Sequence, residues 1–79
     1  MKVCEFGEFQ ATGRCRRHAR VVVGYRQPFG LQIGPKGETP TYTTRATYRC
    51  IDHATTGLKD IIGTLMVQEY EARLAQHAQ

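Results

Sequence analysis

Two stretches of the chain alternate in a way that predicts β-strands. Residues 19–26 are rich in valine, and branched side chains suit a pleated surface. Residues 41–49 place aromatic or small side chains on one face and mostly threonine or arginine on the other. The connection, residues 27–40, holds all three prolines and three of the glycines, which is typical of a turn or of the tip of a long hairpin. The pattern therefore predicts a β-hairpin over residues 19–49.

From residue 55 onward the apolar residues recur with the period of a helix. Spacings of three and four gather them on one stripe over residues 55–76. The stripe consists of Leu58, Ile61, Ile62, Leu65, Met66, Tyr70 and Leu74. Gly63 is the weak position in this interpretation, because glycine inside a helix costs about 1 kcal/mol relative to alanine. We expect one amphipathic C-terminal helix.

Size and cysteine count change this picture. The chain has 79 residues, so we expect a single domain over 1–79, with too small a core to be stable without a disulfide, a metal or a partner. Three cysteines are an odd number, which disfavours a disulfide framework. The chain shows no signal-peptide pattern at its start and no run of the ~18 apolar residues that a membrane span needs. We therefore expect a cytoplasmic protein that does not bind membranes and whose thiolates are free to bind metal.

The strongest chemical signal is the run from Cys50 to His53. Two ligands separated by two residues can converge on one ion, and zinc accepts cysteine sulfur and histidine nitrogen in a tetrahedral shell. The first 18 residues offer three further ligands, namely Cys4, Cys15 and His18. The spacing predicts one structural Zn²⁺ and a small zinc-stabilised α+β fold, with a knuckle at 1–18, a hairpin at 19–49 and the Cys-x-x-His segment and helix at 50–77.

Two ligand sets compete for this site. In the first, Cys4 and Cys15 complete a site of three thiolates and one imidazole, which is a common structural zinc type and leaves no cysteine over. In the second, His18 replaces Cys4, and Cys15-x-x-His18 mirrors the Cys-x-x-His of residues 50–53. An iron–sulfur cluster is disfavoured because such clusters usually take four thiolates.

A family resemblance favours the first set. Cys4-Glu5-Phe6, the run Cys15-Arg16-Arg17-His18-Ala19 with its valines, and Cys50-Ile51-Asp52-His53-Ala54 together resemble small zinc-binding proteins of actinobacteria and their phages. The resemblance implies an architecture similar to a treble clef or zinc ribbon, with Cys4 and Cys15 as the first ligand pair. In that family His18 falls on a position that is often proline and does not bind metal. The segment between Cys4 and Cys15 is longer here than the two to four residues usual in the family.

The sequence gives no reason to expect an enzyme. Four protein ligands would close the metal site, whereas a catalytic zinc keeps a position open for water. The acids Glu5, Glu8, Glu38 and Asp52 form no recognisable catalytic pair, and no nucleophile elbow is present. We therefore expect a binding module.

Charge and apolar pattern suggest two rival binding surfaces. The formal net charge is +4, and arginine forks bind phosphate well. The expected nucleic-acid-binding residues are Arg14, Arg16, Arg17, Arg20, Arg26, Arg45 and Arg49, with the last four forming a basic stripe if Arg20 and Arg26 lie beside Arg45 and Arg49. The alternative is a protein-interaction adaptor or homodimer that uses Met66, Tyr70 and Leu74 of the helix. If it is encoded by a phage, such a protein would act on a host protein.

Overall fold

The computed structural model describes residues 2–7, 13 and 15–77. Three strands and one helix follow in the order β1 (Val21–Gly34), β2 (Gly37–Arg49), β3 (Ile61–Met66) and α1 (Val67–His77). The strands form one antiparallel sheet in the order β2-β1-β3. The protein is thus a small α+β fold with a C-terminal helix, as the sequence predicts at this level of detail.

The predicted hairpin is present, and its strands are longer than the pattern indicates. The pairing of β1 with β2 begins with Val21 opposite Arg49 and continues to Gly34 opposite Gly37. A two-residue turn separates the strands, and Gly37 has φ 111°, a conformation that side chains other than glycine rarely adopt. The prolines and glycines of residues 27–40 therefore lie mostly within the strands, and the turn itself is short.

A β-bulge interrupts this hairpin midway. The register passes from Pro28 opposite Tyr42 to Gly30 opposite Thr41, so Phe29 is an extra residue on β1. One extra residue reverses the face to which the following side chains point. Leu31 and Ile33 consequently lie on the opposite face of the sheet from Val21 and Val23.

The predicted helix over residues 55–76 is wrong in its first half. Residues 50–60 form a loop, residues 61–66 form β3, and the helix begins only at Val67. Both local sequence preference and tertiary strand pairing explain why these residues form a strand. The β-branched residues Ile61, Ile62 and Thr64 favour a strand, and Gly63 disfavours a helix. The outer edge of β1 offers hydrogen-bond partners from Val21 to Tyr25. Asp60, with φ 52°, turns the chain into this strand, and its carbonyl accepts a bond from the Arg26 amide at 3.1 Å.

Different segments of the chain pack against the two faces of the sheet. The N-terminal face carries Val21 and Val23 of β1 with Thr47 and Arg49 of β2, and residues 5–7 lie against it. The helix face carries Val22, Tyr48 and Leu65, and α1 lies against it through an edge-to-face contact between Tyr70 and Tyr48, with ring centroids 6.0 Å apart.

The buried core among the described residues is very small. Its apolar members are Cys4, Ala19, Val21, Val22, Val23 and Cys50. No residue of α1 is buried. Two of the six core residues are thus cysteines, so the sulfur atoms belong to the centre of the fold. Among these residues no helix has both the length and the apolar character needed to cross a membrane.

Candidate metal centre

The first ligand pair comes from a short antiparallel ladder near the N-terminus. The Cys4 amide donates to the Arg17 carbonyl at 2.9 Å, and the Cys15 amide donates to the Phe6 carbonyl at 3.0 Å. A bridge between Val3 and His18 continues the ladder. The ladder pairs Cys4 with Arg17 and Phe6 with Cys15. The two cysteines therefore lie on the same side of the ladder and two positions apart, although ten residues separate them in the sequence.

The second pair lies where β2 ends. Cys50 follows the last residue of that strand and is buried, and His53 lies in the loop after it. The Sγ atom of Cys50 is 3.4 Å from Nδ1 of His53 and 3.9 Å from Sγ of Cys15. The Cys-x-x-His segment therefore turns both side chains toward the N-terminal cysteines.

Three cysteines and one histidine meet at this point. The ligand atoms of Cys4, Cys15, Cys50 and His53 all lie within 4.8 Å of one another. Two Zn–S bonds of about 2.3 Å at a tetrahedral angle hold their sulfurs about 3.8 Å apart, and a Zn–N bond of about 2.0 Å gives about 3.5 Å between sulfur and nitrogen. The observed 3.9 Å and 3.4 Å match these spacings. These two separations and the donor types thus fit a tetrahedral metal ion.

The same distances disfavour a disulfide. A disulfide joins its sulfurs at about 2.05 Å, whereas Cys15 and Cys50 are separated by 3.9 Å and all three cysteines are free.

The pKa values of the thiols reflect their crowding. For Cys50 the largest influence is burial, which raises the pKa, but the backbone amide of His53, the neighbouring thiols and the charge of Arg17 together bring it below its ordinary value. For Cys15 the backbone amide of Arg17 has the largest influence and lowers the pKa, but burial and the sulfurs of Cys4 and Cys50 outweigh it and raise the pKa overall. Neighbouring thiolates repel one another, and a divalent cation would relieve that repulsion.

Aromatic stacking orients the imidazole. The ring of His53 stacks on that of Phe6, with centroids 4.3 Å apart and planes 20° from parallel. Because Phe6 lies two residues after Cys4, the N-terminal segment fixes the histidine ring as well as supplying a sulfur.

Arg49 holds the ligand loop against the sheet. Its guanidinium donates to the carbonyls of His53 at 3.4 Å and Thr56 at 3.2 Å, and its Nε donates to Thr47 at 3.2 Å. It also lies over the Phe6 ring at 5.4 Å. Arg49 is buried, with 9% of its surface exposed, so its position is structural. Its predicted role in binding nucleic acid stays a prediction.

His18, the alternative ligand, is not part of the cluster. It pairs through its backbone with Val3, and its side chain is exposed. Of the described histidines, only His53 contributes a ligand atom to the group.

The predicted basic stripe is divided between two faces. Arg45 lies opposite Tyr25 and Arg49 opposite Val21, which places both on the N-terminal face. Arg26 lies opposite Thr44, on the helix face, together with Arg20 by alternation along the chain. In an antiparallel sheet the side chains of two directly paired residues point to the same side, and these arginines are not paired with one another. The expected continuous stripe is therefore not formed. Arg14 lies outside the described residues.

A smaller basic cluster borders the candidate metal centre. Arg16, Arg17, His18 and Arg20 line a shallow concavity of about 430 Å³ together with residues 50–52. Arg17 forms an ion pair with Asp52 across it. Arg16 and Arg20 form no ion pair with any residue in the described ranges.

The three residues expected on one helical surface are divided as well. Met66 ends β3 and is 48% exposed, whereas Tyr70 packs on Tyr48. Leu74 lies on α1 and is 50% exposed. A single stripe formed by the three would require a helix that begins before residue 66.

The sequence pattern did not identify Phe6 and Arg49 as supports of the site. Position relative to the ligands is the only signal that could have found them, since Phe6 follows Cys4 by two residues and Arg49 directly precedes Cys50.

The chain was also compared with known proteins. No protein-family model, no curated protein and no solved structure matches it.

Proposed function

We propose that this protein is a non-enzymatic binding module whose fold is held by one structural Zn²⁺ at Cys4, Cys15, Cys50 and His53. The observation that carries the proposal is the convergence of these four ligand atoms within 4.8 Å at the centre of a very small core. Three thiolates and one imidazole are a common structural zinc set, and four protein ligands leave no position for a catalytic water. Nδ1 of His53, 3.4 Å from Cys50 Sγ, is the proposed nitrogen ligand.

A treble-clef-like arrangement belongs to this proposal. The order of N-terminal knuckle, hairpin and Cys-x-x-His supports it, and so does the resemblance to zinc-binding proteins of actinobacteria and their phages. The arrangement departs from that pattern in its helix, which starts at Val67, well beyond the second ligand pair.

Zinc content of single variants tests the ligand set. Native mass spectrometry should find one zinc per chain in the parent protein and in His18→Ala. It should find none, or a much weaker complex, in Cys4→Ser and His53→Ala. Loss of zinc in His18→Ala with retention in Cys4→Ser would reject the proposed set in favour of the alternative.

The partner we propose for the basic cluster is a nucleic-acid phosphate backbone in the cytoplasm. Support comes from the concavity that Arg16, Arg17, His18 and Arg20 share, because arginine forks suit phosphate oxygens. Arg45, exposed on the N-terminal face, provides a matched control.

Salt dependence of oligonucleotide binding tests this partner. Affinity should fall steeply as salt rises, since binding releases counterions. The double variant Arg16→Gln with Arg20→Gln should bind more weakly and reduce the slope of log K against log salt by about 1 per lost phosphate contact. Arg45→Gln should change little. Absence of binding at low salt, or equal losses in both variants, would reject this partner.

The alternative function is an adaptor or homodimer that uses α1, acting on a host protein if the chain is phage-encoded. The exposure of Leu74 favours it, although Tyr70 is engaged with Tyr48. Leu74→Glu should then abolish association, and a hydrodynamic mass that Leu74→Glu leaves unchanged would exclude this surface.

A further inference from the structure

Half of the hairpin projects beyond the rest of the sheet. The third strand pairs with β1 only from Val21 to Tyr25. From Gln27 to Thr43 the described part of the sheet consists of β1 and β2 alone, and we call these residues the hairpin arm. A two-stranded hairpin is at best marginally stable in water without a third strand or a packed face. The arm therefore lacks its cover within the described part of the chain.

The arm has one apolar and one polar side. The bulge at Phe29 turns Leu31 and Ile33 to the side of Pro40 and Tyr42 on β2. The opposite side carries Gln27, Gln32, Thr39, Thr41 and Thr43. We call the first side the arm's apolar face. Alternation of this kind is typical of a strand pair with one side covered and one in water.

The apolar face is strongly exposed. Ile33 is 82%, Leu31 64% and Tyr42 50% exposed, and Phe29 in the bulge is 78% exposed. Scaled by the areas such side chains can bury, the exposed fractions of Ile33, Leu31 and Tyr42 amount to roughly 400 Å² of apolar surface. Two such faces packed together, with the prolines and backbone around them, approach the area of a small specific interface of about 1,200 Å².

The helix does not reach this face. Its ring contact with the sheet is at Tyr48, six residues from Tyr42 along β2. Six residues of strand span about 20 Å.

Charges at the two ends of the face are opposite in sign. Arg26 lies at the base, with its guanidinium 5.8 Å from the Tyr42 ring centroid. Glu38 lies at the tip, opposite Ile33 and on the same side of the sheet. An antiparallel two-fold arrangement of two arms would bring the Arg26 of each copy near the Glu38 of the other.

We propose that the arm's apolar face is a dimerisation surface whose occupant is the same face of a second copy of this chain, packed antiparallel across a two-fold axis. The surface is self-complementary. The apolar side chains of one copy meet those of the other, and Arg26 of each copy meets Glu38 of the other. A two-fold interface needs this property because each contact occurs twice. The proposal is independent of the metal site and of the basic cluster.

Nucleic acid fits this face poorly. Lys36 and Glu38, the ionised side chains within the arm, cancel, and Arg26 at its base adds one positive charge. Phosphate binding relies on accumulated positive charge, and the basic cluster lies elsewhere, beside residues 50–52.

Sedimentation of the zinc-loaded full chain over a range of concentrations tests the proposal with a matched pair of variants. Ile33→Lys puts a charge into the centre of the interface twice per dimer and should raise the dimer dissociation constant by at least about tenfold. Gln32→Lys adds the same charge to the neighbouring residue on the polar side and should leave the dimer intact. Zinc content and far-UV circular dichroism establish that both variants are folded.

A charge-reversal pair tests the antiparallel orientation. Glu38→Arg places arginine against Arg26 of the second copy and should weaken the dimer. Adding Arg26→Glu to that variant restores opposite charges and should recover most of the parent affinity.

Four outcomes would overturn the proposal. They are a single-chain mass for the parent protein at millimolar concentration, a dimer that Ile33→Lys leaves unchanged, a dimer that only Leu74→Glu dissociates, and association that occurs only when oligonucleotide is added. Failure of the double charge reversal to rescue would overturn the antiparallel arrangement.

Discussion

At the scale of single residues, Arg49 shows how neighbours decide the role of a charged side chain. In the sequence it belongs to a set of arginines suited to phosphate. In the structure its guanidinium bonds to the carbonyls of His53 and Thr56 and lies over Phe6, so it holds a ligand loop in place. Alternation alone could not reveal this, because the residues it contacts come from the N-terminal segment and from the loop after β2.

Replacement of Arg49 should therefore destabilise the fold. Arg49→Lys keeps the charge but loses the planar fork and leaves carbonyl groups without a donor, so the free energy of unfolding should fall by about 1–3 kcal/mol. Urea denaturation of the zinc-loaded protein measures this. Arg45→Lys, on the same strand and exposed, should change it by less than about 0.5 kcal/mol. Equal effects of the two substitutions would show that Arg49 has no special structural role.

At the scale of elements, local pattern was informative where pairing partners are adjacent in sequence. The hairpin could be predicted because both its strands alternate and a proline- and glycine-rich segment joins them. The strand β3 could not, since Ile61, Ile62, Leu65 and Met66 fit a helical stripe equally well. The strand forms because the outer edge of β1 offers it hydrogen-bond partners, which is a tertiary feature. The β-branched residues were the local signal for the strand, and Gly63 was a signal against the helix.

Substitutions at Thr64 distinguish the two conformations. If residue 64 were in a helix, Thr64→Ala would stabilise the protein and Thr64→Ile would change its stability little, because alanine is a better helix former than threonine or isoleucine. In a strand the order reverses, so we expect Thr64→Ala to lower the free energy of unfolding by up to about 1 kcal/mol and Thr64→Ile to preserve or raise it. Thermal unfolding of the zinc-loaded variants measures both. A more stable Thr64→Ala protein would contradict the strand.

The candidate site was predictable to the level of its donor types. Cys-x-x-His and two N-terminal cysteines gave the four residues that the structure brings together, and the spacing left Cys4 and His18 as competitors. The ladder between residues 2–6 and 15–19 places Cys4, and not His18, in the group. That ladder is a long-range pairing across a ten-residue gap, which spacing rules do not describe.

At the scale of the whole molecule, the shape leaves little interior. The Cα atoms extend 47 × 41 × 16 Å, so the molecule is flat. Among the residues that the structure describes, the buried apolar side chains are three valines, one alanine and two cysteines. So few buried side chains offset only a small part of the conformational entropy lost on folding. A structural zinc ion contributes about 10–16 kcal/mol in small metal-binding domains, which is larger than the net stability of most domains. We therefore expect metal binding and folding to be one event.

Removal of the metal tests this central claim most directly. The measurement is the amide proton NMR spectrum of the purified protein before chelation, after chelation under reducing conditions, and after zinc is added back. We predict dispersed resonances with zinc, collapse to the narrow range of an unfolded chain without it, and full recovery on addition of one equivalent. A dispersed, unchanged spectrum from protein shown to be metal-free would contradict the account.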